Sequence, residues 1–448
     1  MKINQFLAQQ ILLESKPVHR DYHIIRSGPI SLLFEVNGSK LIEIDSATDL
    51  RLSASDLSAF EKDKIIHSLL DSHRIYVDDT PIQNPKTYAI SLAIAQKCNL
   101  GCSYCYAAQG EFGEAAKKMD LKVAKQSIDF LLADKAEGDK VQISFMGGEP
   151  LMNRKGIYEA TEYAIKQSVE KHVTVNFSIT TNGTLLTEED AIFFEKYGFA
   201  VTISLDGNKN EHDLLRPMKN GKGTFDIIMN KIAPLLKIQN KMQVSARITV
   251  TSENLNVSST LKEFIAMGFH SVGLSPLINA NNHSNELTKE EQTQLLSEMI
   301  DCGLEFEKAV MKSEAFPFLN MINAYKEIEK QSHKPYPCGA GAGYLGVSAT
   351  GELSACHRFV NNPSGEMGNL DEGIDAAKQN SWLDQRHVHN QNPCNTCWAR
   401  YLCGGGCHHE VIDVGRTSCD YIRGWLTYCL QSYNRVNRLI EKRAYATL

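Results

Sequence analysis

Six apolar runs recur between residues 88 and 278, each followed by a segment of helical spacing, and this alternation limits the fold more than any other feature. "YAISLAIAQ" (88–96), "VQISFM" (141–146), "VTVNFSI" (173–179), "AVTISL" (200–205), "QVSARITV" (243–250) and "SVGLSPL" (271–277) read as strands. In the third, Val173, Val175, Phe177 and Ile179 share one face. Helices are expected from Leu121 to Ala133, over 156–171, after Thr187, from Thr224 to Lys237 and over 257–267, with Asp120 and Thr187 as N-caps. Strand–helix repetition of this kind gives a parallel sheet with helices packed outside it. Six units fall short of the eight that close a barrel, so an α/β fold with a partial (β/α)6 barrel is expected over residues 86–280. In such folds the reactive groups gather at the C-terminal strand ends.

The flanking segments differ. In residues 1–85 an amphipathic helix, "MKINQFLAQQILLESK", precedes two apolar runs joined by Asn37-Gly38, a strong hairpin signal. A helix carrying Phe60, Ile65, Ile66 and Leu69 follows, which makes a small α+β module. Residues 281–332 read as a helical bridge with Met299, Leu304 and Phe306 among its apolar positions. Residues 333–448 are Cys-, Gly- and His-rich with little regular period, and something other than an apolar core is expected to fix them.

Length and composition narrow the class. At 448 residues, two or three domains are expected, and 42% apolar with 22% charged residues is globular. A net charge of −6 with no arginine-rich run speaks against nucleic acid. No apolar run approaches the roughly 20 residues of a membrane span. The N-terminus lacks the continuous apolar stretch and small-residue cleavage site of a signal peptide, so a cytoplasmic location is expected. In that reducing compartment the twelve cysteines are expected to bind metal or act in catalysis rather than form disulfides.

Ten of those cysteines fall into patterns. "CNLGCSYCYA" supplies Cys98, Cys102 and Cys105 as C-x3-C-x2-C just after the first barrel strand. Three thiolates in one loop can hold three corners of a cubane cluster and leave the fourth iron for a small chelating cofactor. Zinc would want a fourth Cys or His nearby, and none follows at short spacing. Further on, Cys338 and Cys356 are spaced C-x12-G-x4-C around Gly351, Cys394, Cys397, Cys403 and Cys407 run C-x2-C-x5-C-x3-C, and Cys419 follows. The four-cysteine run alone also suits a zinc ribbon or knuckle. Gly404–Gly406 permit the tight turns needed between Cys403 and Cys407. Cys302 and Cys429 lie in helical stretches and read as packed, and His357, His408 and His409 adjoin possible ligands.

The first loop resembles that of radical S-adenosylmethionine (SAM) enzymes, and the likeness continues in "GGEP" (147–150), "TTNGT" (180–184) and "SLDG" (204–207), which end successive strands. The resemblance implies a [4Fe–4S] cluster on Cys98, Cys102 and Cys105, which would act in catalysis, with SAM bound beside it. Gly147, Gly148 and Glu149 would meet the methionine amino group, Ser204 the methionyl or ribose end and Arg247 its carboxylate, with Tyr104 and Asn182 also in the cofactor site. The C-terminal pattern resembles the SPASM extension of peptide-modifying members. That likeness implies two auxiliary [4Fe–4S] clusters, one on Cys394, Cys397, Cys403 and Cys419 and the other on Cys338, Cys356 and Cys407.

Three clusters are therefore expected in all. Relatives that saturate the second auxiliary set carry a further cysteine where this chain has Tyr344, so one iron is expected to be open to a substrate thiolate. Cys302, Cys429 or His408 remain alternative ligands. "CYAAQGEFG" and "CDYIRGWLTYCL" are most similar to thioether-forming maturases, including the quinohemoprotein amine dehydrogenase type, and "CGAG…CH" to maturases of Cys-rich peptides of the ranthipeptide and sactipeptide kind. The implied partners are a ribosomal precursor peptide or small Cys-containing protein and a reductant such as flavodoxin or ferredoxin. The module at 1–85 is faintly similar to the winged-helix elements that bind leader peptides. Other readings are carbon–carbon cross-linking or epimerisation, sulfatase maturation, and a non-catalytic zinc or iron–sulfur protein. Sulfatase maturation would want an acidic base directly after Cys356, where this chain has His357.

Overall fold

The computed structural model describes residues 3–27, 30–70, 79–280 and 285–446. Residues 71–78, within the expected N-terminal module, and 281–284, at the expected start of the helical bridge, lie outside the described residues. The chain begins with α1 (Ile3–Glu14), and β1 (Tyr22–Ser27), β2 (Ile30–Glu35) and β3 (Lys40–Ile44) form an antiparallel meander. The expected hairpin at Asn37-Gly38 closes with Glu35 opposite Lys40, and the Glu35 carboxylate accepts the Asn37 and Gly38 N–H groups at 2.9 and 2.7 Å. Asp45 caps α2 (Ser46–Ser53), and a Ser58/Glu61 capping box opens α3 (Ala59–Leu69).

The central alternation folds as expected. β4 (Ala89–Gln96) is followed by β5 (Lys117–Lys118), α4 (Leu121–Leu132), β6 (Lys140–Gly147), α5 (Arg154–Lys171), β7 (Thr174–Thr181), α6 (Glu188–Tyr197) and β8 (Ala200–Ser204). Then come α7 (Lys209–Leu215), α8 (Phe225–Lys237), β9 (Gln243–Val250), α9 (Val257–Ala266) and β10 (Ser271–Pro276). The order β10-β9-β8-β7-β6-β4 is parallel throughout, while β5 is a short antiparallel partner at the end of β4. Asp120 caps α4, and Thr187 forms a capping box with Asp190 at α6. Val141, Ile143, Phe145, Phe177, Ile179, Val244 and Ile248 bury one face of the sheet beneath the helices. The opposite face carries Gln142, Ser144, Ser178, Ser204, Ser245 and Arg247, which are small or polar and not fully buried. The lumen is therefore open and hydroxyl-lined.

α10 (Lys289–Lys312) and α11 (Leu319–Glu329) form the bridge. The Cys-rich segment contains β11 (Tyr344–Val347), β12 (Glu352–Ser354), β13 (Glu366–Asn369) and β14 (Gly373–Ile374). It ends with α12 (Ala376–Arg386), α13 (Arg400–Cys403), α14 (His408–Val414) and α15 (Cys419–Ala446). Here the structure departs from the sequence reading. β11 joins the barrel sheet as a parallel neighbour of β4, pairing Tyr344 with Ala89 and Val347 with Leu92. Leu345, Val347, Leu353, Phe359, Trp382 and Trp398 share one apolar core with Ile90 and Leu92. Ordinary burial, together with whatever the cysteines bind, fixes this segment. No helix among the described residues is long and apolar enough to cross a membrane.

Candidate active site

Cys98, Cys102 and Cys105 occupy the loop after β4, and three neighbouring strand ends hold that loop. The Gly148 N–H donates to Ala95 O (2.9 Å) and the Glu149 N–H to Lys97 O (2.8 Å). A Cβ on Gly148 would lie 2.5 Å from Lys97 O and 2.7 Å from Gly110 Cα, so only glycine admits this approach. From the end of β7, Asn182 Nδ2 donates to Asn99 Oδ1 (2.9 Å), and Asn99 Nδ2 donates to Thr184 Oγ1 (2.9 Å). From beyond β8, Pro217 O accepts the Gly101 N–H (2.8 Å), and Tyr104 donates its hydroxyl hydrogen to Asp206.

Glu149 welds two of these strand ends together. Its fully buried carboxylate accepts from the Leu151 N–H (3.0 Å), the Thr181 hydroxyl (2.7 Å) and the Asn182 N–H (2.8 Å). Burial raises its pKa, and these bonds oppose the rise. The carboxylate is thus spent on the protein. Ser204 ends β8, and Arg247 stands opposite it on β9 in register. Arg247 donates to the Ser275 hydroxyl and has no ion pair among the described residues. It is solvent-accessible on the lumen face.

The ten candidate ligands gather in three groups. Burial pushes the Cys102 thiol up to about 12; Arg216 opposes this, and the Cys105 and Cys98 charges add to it. Cys338 and Cys356 are raised by burial, and each also feels Cys407. Burial likewise pushes Cys394 up to about 12, with Arg416 opposing and Cys403, Cys397 and Cys419 adding. Gly404, Gly405 and Gly406, at φ of 70°, 95° and 79°, turn the chain between Cys403, which feels Cys397 and Cys419, and Cys407, which acts on Cys338 and Cys356. Cys394, Cys397, Cys403 and Cys419 line a cavity together with Arg416 and Arg423, and Cys407 reaches its wall as well.

Each group also has a buried guanidinium N–H without an acceptor. These are Arg216 Nε by Cys102, Arg358 Nε by Cys407, and Arg386 Nη2 and Arg423 Nε by Cys394 and Cys419. Such orphan donors are costly unless an acceptor arrives, and the sulfides of an anionic iron–sulfur cluster are acceptors, so these residues fit such a group. Among the described residues, no three His, Cys, Asp or Glu side chains converge as a single metal ion requires. A cubane instead spreads its thiolates over separate irons.

Cys302 and Cys429 are fully buried in α10 and α15, and Cys429 packs against Met321 (4.0 Å between sulfurs); neither joins a group. Tyr344 lies beside Cys356 and Cys338, with its hydroxyl 2.8 Å from His357 Nδ1. His408 accepts from Arg386 Nε (3.0 Å) and packs on Trp382, and His409 packs on Phe359. Asp206, Arg216, Tyr106, Arg358 and Arg386 were not singled out from the sequence. Asp206 sits within "SLDG", but the isolated arginines carry no local signal.

A model of the Radical SAM superfamily matches residues 92–257. A serine-type anaerobic sulfatase-maturating enzyme of Klebsiella aerogenes is 25% identical over 330 residues, 72% of this chain and 80% of that one. An uncharacterized protein of Methanocaldococcus jannaschii is 31% identical over 268 residues, 59% of this chain and 83% of that one. Among solved structures, native anSMEcpe with bound AdoMet and Cp18Cys peptide shares the fold, with a TM-score of 0.65 at 20% identity over 80% of this chain and 100% of that chain. The chain belongs to the Radical SAM superfamily, and it is an enzyme. Membership implies a [4Fe–4S] cluster and SAM.

Proposed function

We propose that this enzyme matures a ribosomally made peptide or small protein by joining a cysteine sulfur to a carbon within it, forming a thioether. The observation that carries the reading is the grouping of ten cysteines as three, three and four, with Tyr344 beside the second group of three. A [4Fe–4S] cluster with SAM supplies, when bound, reductive cleavage of the sulfonium bond to methionine and a 5′-deoxyadenosyl radical. Cys98, Cys102 and Cys105 would hold that cluster. Gly147 and Gly148 offer carbonyls to the methionine amino group, and Ser204 and Arg247 offer a hydroxyl and a cation to its carboxylate and ribose end. Tyr104 and Asn182 fix the loop. Cys338, Cys356 and Cys407 would hold a second cluster and Cys394, Cys397, Cys403 and Cys419 a third. Seven thiolates would leave one corner of the auxiliary pair without a cysteine, where the substrate's own thiolate would dock.

The net change removes one hydrogen atom from carbon, the thiol proton and one electron, and the auxiliary groups carry the electron away. Flavodoxin or ferredoxin is the external redox partner, and the cytoplasm the location. The module at 1–85 would receive the leader segment. A second reading, sulfatase maturation, draws on the Klebsiella relative. It lacks an acidic residue after Cys356, where His357 is held neutral, its pKa lowered to about 4 by burial. The test is anaerobic incubation of reconstituted enzyme with SAM, a reductant and either a Cys-containing peptide encoded beside the gene or a sulfatase peptide. Release of 5′-deoxyadenosine with loss of two hydrogens per bridge in the first peptide supports thioether formation. Turnover of the sulfatase peptide alone would select the second reading.

A further inference from the structure

Arg358 stands where two cysteine groups meet, and no step above uses it. Its Nη1 donates to Cys407 Sγ (3.5 Å) and to Glu410 Oε1 (2.9 Å). Its guanidinium carbon lies 5.2 Å from the ring centroid of Tyr106, the residue directly after Cys105. Nε is buried and has no acceptor. One cation therefore touches the wall of the first loop, a sulfur of the second group and the carboxylate that balances its charge. The side chains of Arg358 and Glu410 are only 19% and 22% exposed, so solvent screens them weakly.

Reduction adds an electron to a cluster that is already anionic. A cation whose N–H groups point at the sulfurs stabilises the reduced state more than the oxidised one, and hydrogen bonds to sulfur are a main control on such potentials. We propose that Arg358 sets the reduction potential of the cluster held by Cys338, Cys356 and Cys407, and that Glu410 moderates that effect by offsetting its charge. The proposal rests on the reading that these three cysteines hold a cluster. The Tyr106 ring packed against the guanidinium would couple the geometry of the first loop to the redox behaviour of the second group.

The experiment is an EPR-monitored redox titration of reconstituted holoenzyme, with iron counted in each sample, for the unmodified chain and for Arg358→Gln, Arg358→Lys and Glu410→Gln. Arg358→Gln moves one potential to a more negative value, and Arg358→Lys recovers most of that shift. Glu410→Gln moves the same potential in the positive direction. Opposite signs are the signature of charge, since a merely structural role would not produce them. The proposal is overturned if, at unchanged iron content, both charge-removing variants leave every potential in place or shift it the same way. Should Arg358→Gln lose iron, Glu410→Gln decides alone, and the absence of a positive shift overturns the proposal. If Cys356→Ala removes no iron from the enzyme, the cluster reading itself has failed, and the role of Arg358 falls with it.

Discussion

Cys98 and Cys356 separate two jobs that a single cysteine count would merge. Cys98 lies among the thiols at the mouth of the lumen, and Cys98→Ala is expected to abolish 5′-deoxyadenosine release, measured by chromatography of anaerobic reactions. Cys356 belongs to the group facing Tyr344 and His357, and Cys356→Ala is expected to depress peptide product more than SAM cleavage. Equal loss of both would count against a substrate-side role. Gly148→Ala tests the frame itself: its Cβ would collide with Lys97 O and Gly110 Cα, so iron content should fall by about four per chain. The residue types of these sites were legible because cysteines at fixed offsets and glycine-bearing strand ends are local signals. Arg216, Arg358 and Arg386 were not, since their partners lie far away in sequence and a lone arginine has no periodicity.

Between elements, the most informative contact is the docking of the N-terminal module on the four-cysteine loop. Trp398, fully buried, stacks on His23 at 4.1 Å, meets Phe34 edge-on at 6.0 Å and donates its indole N–H to Ser15 O at 2.8 Å. Arg400 Nη2 donates to Asn37 Oδ1 (2.8 Å). Trp398→Ala should cost about 3–5 kcal/mol and speed proteolysis within residues 3–70; unchanged protection would show that the module is held elsewhere. On α7, His212 accepts the N–H of Asp206, just past β8, at Nδ1 (3.2 Å) and bonds Thr224 Oγ1 (3.0 Å), and burial lowers its pKa to about 3. The unfolded chain takes up a proton near pH 6.5 that the folded chain refuses until about pH 3. Stability from this group is complete above 6.5 and is lost as pH falls, by about 2 kcal/mol at pH 5. His212→Gln should flatten that part of the stability profile in denaturant melts, and an unchanged slope would contradict the assignment.

Taken whole, the molecule is one continuous sheet from β10 through β4 to β14, with the cysteine groups gathered at its loops. The barrel was legible because six strands and their helices repeat with clear period. The junction of the barrel with the Cys-rich segment was not: β11 is four residues among glycines, and its partner β4 lies some 250 positions earlier. Because that pairing and a shared apolar core bind the two regions, they should melt together.

The central claim is that ten thiolates arranged as three, three and four hold three cubanes. The direct measurement is iron and sulfide analysis of anaerobically reconstituted enzyme, repeated with each cysteine group removed in turn. About twelve irons per chain, falling by about four with each group, is the predicted result. Bound zinc in place of iron, or an iron content that stays the same when an entire group is replaced, would contradict it.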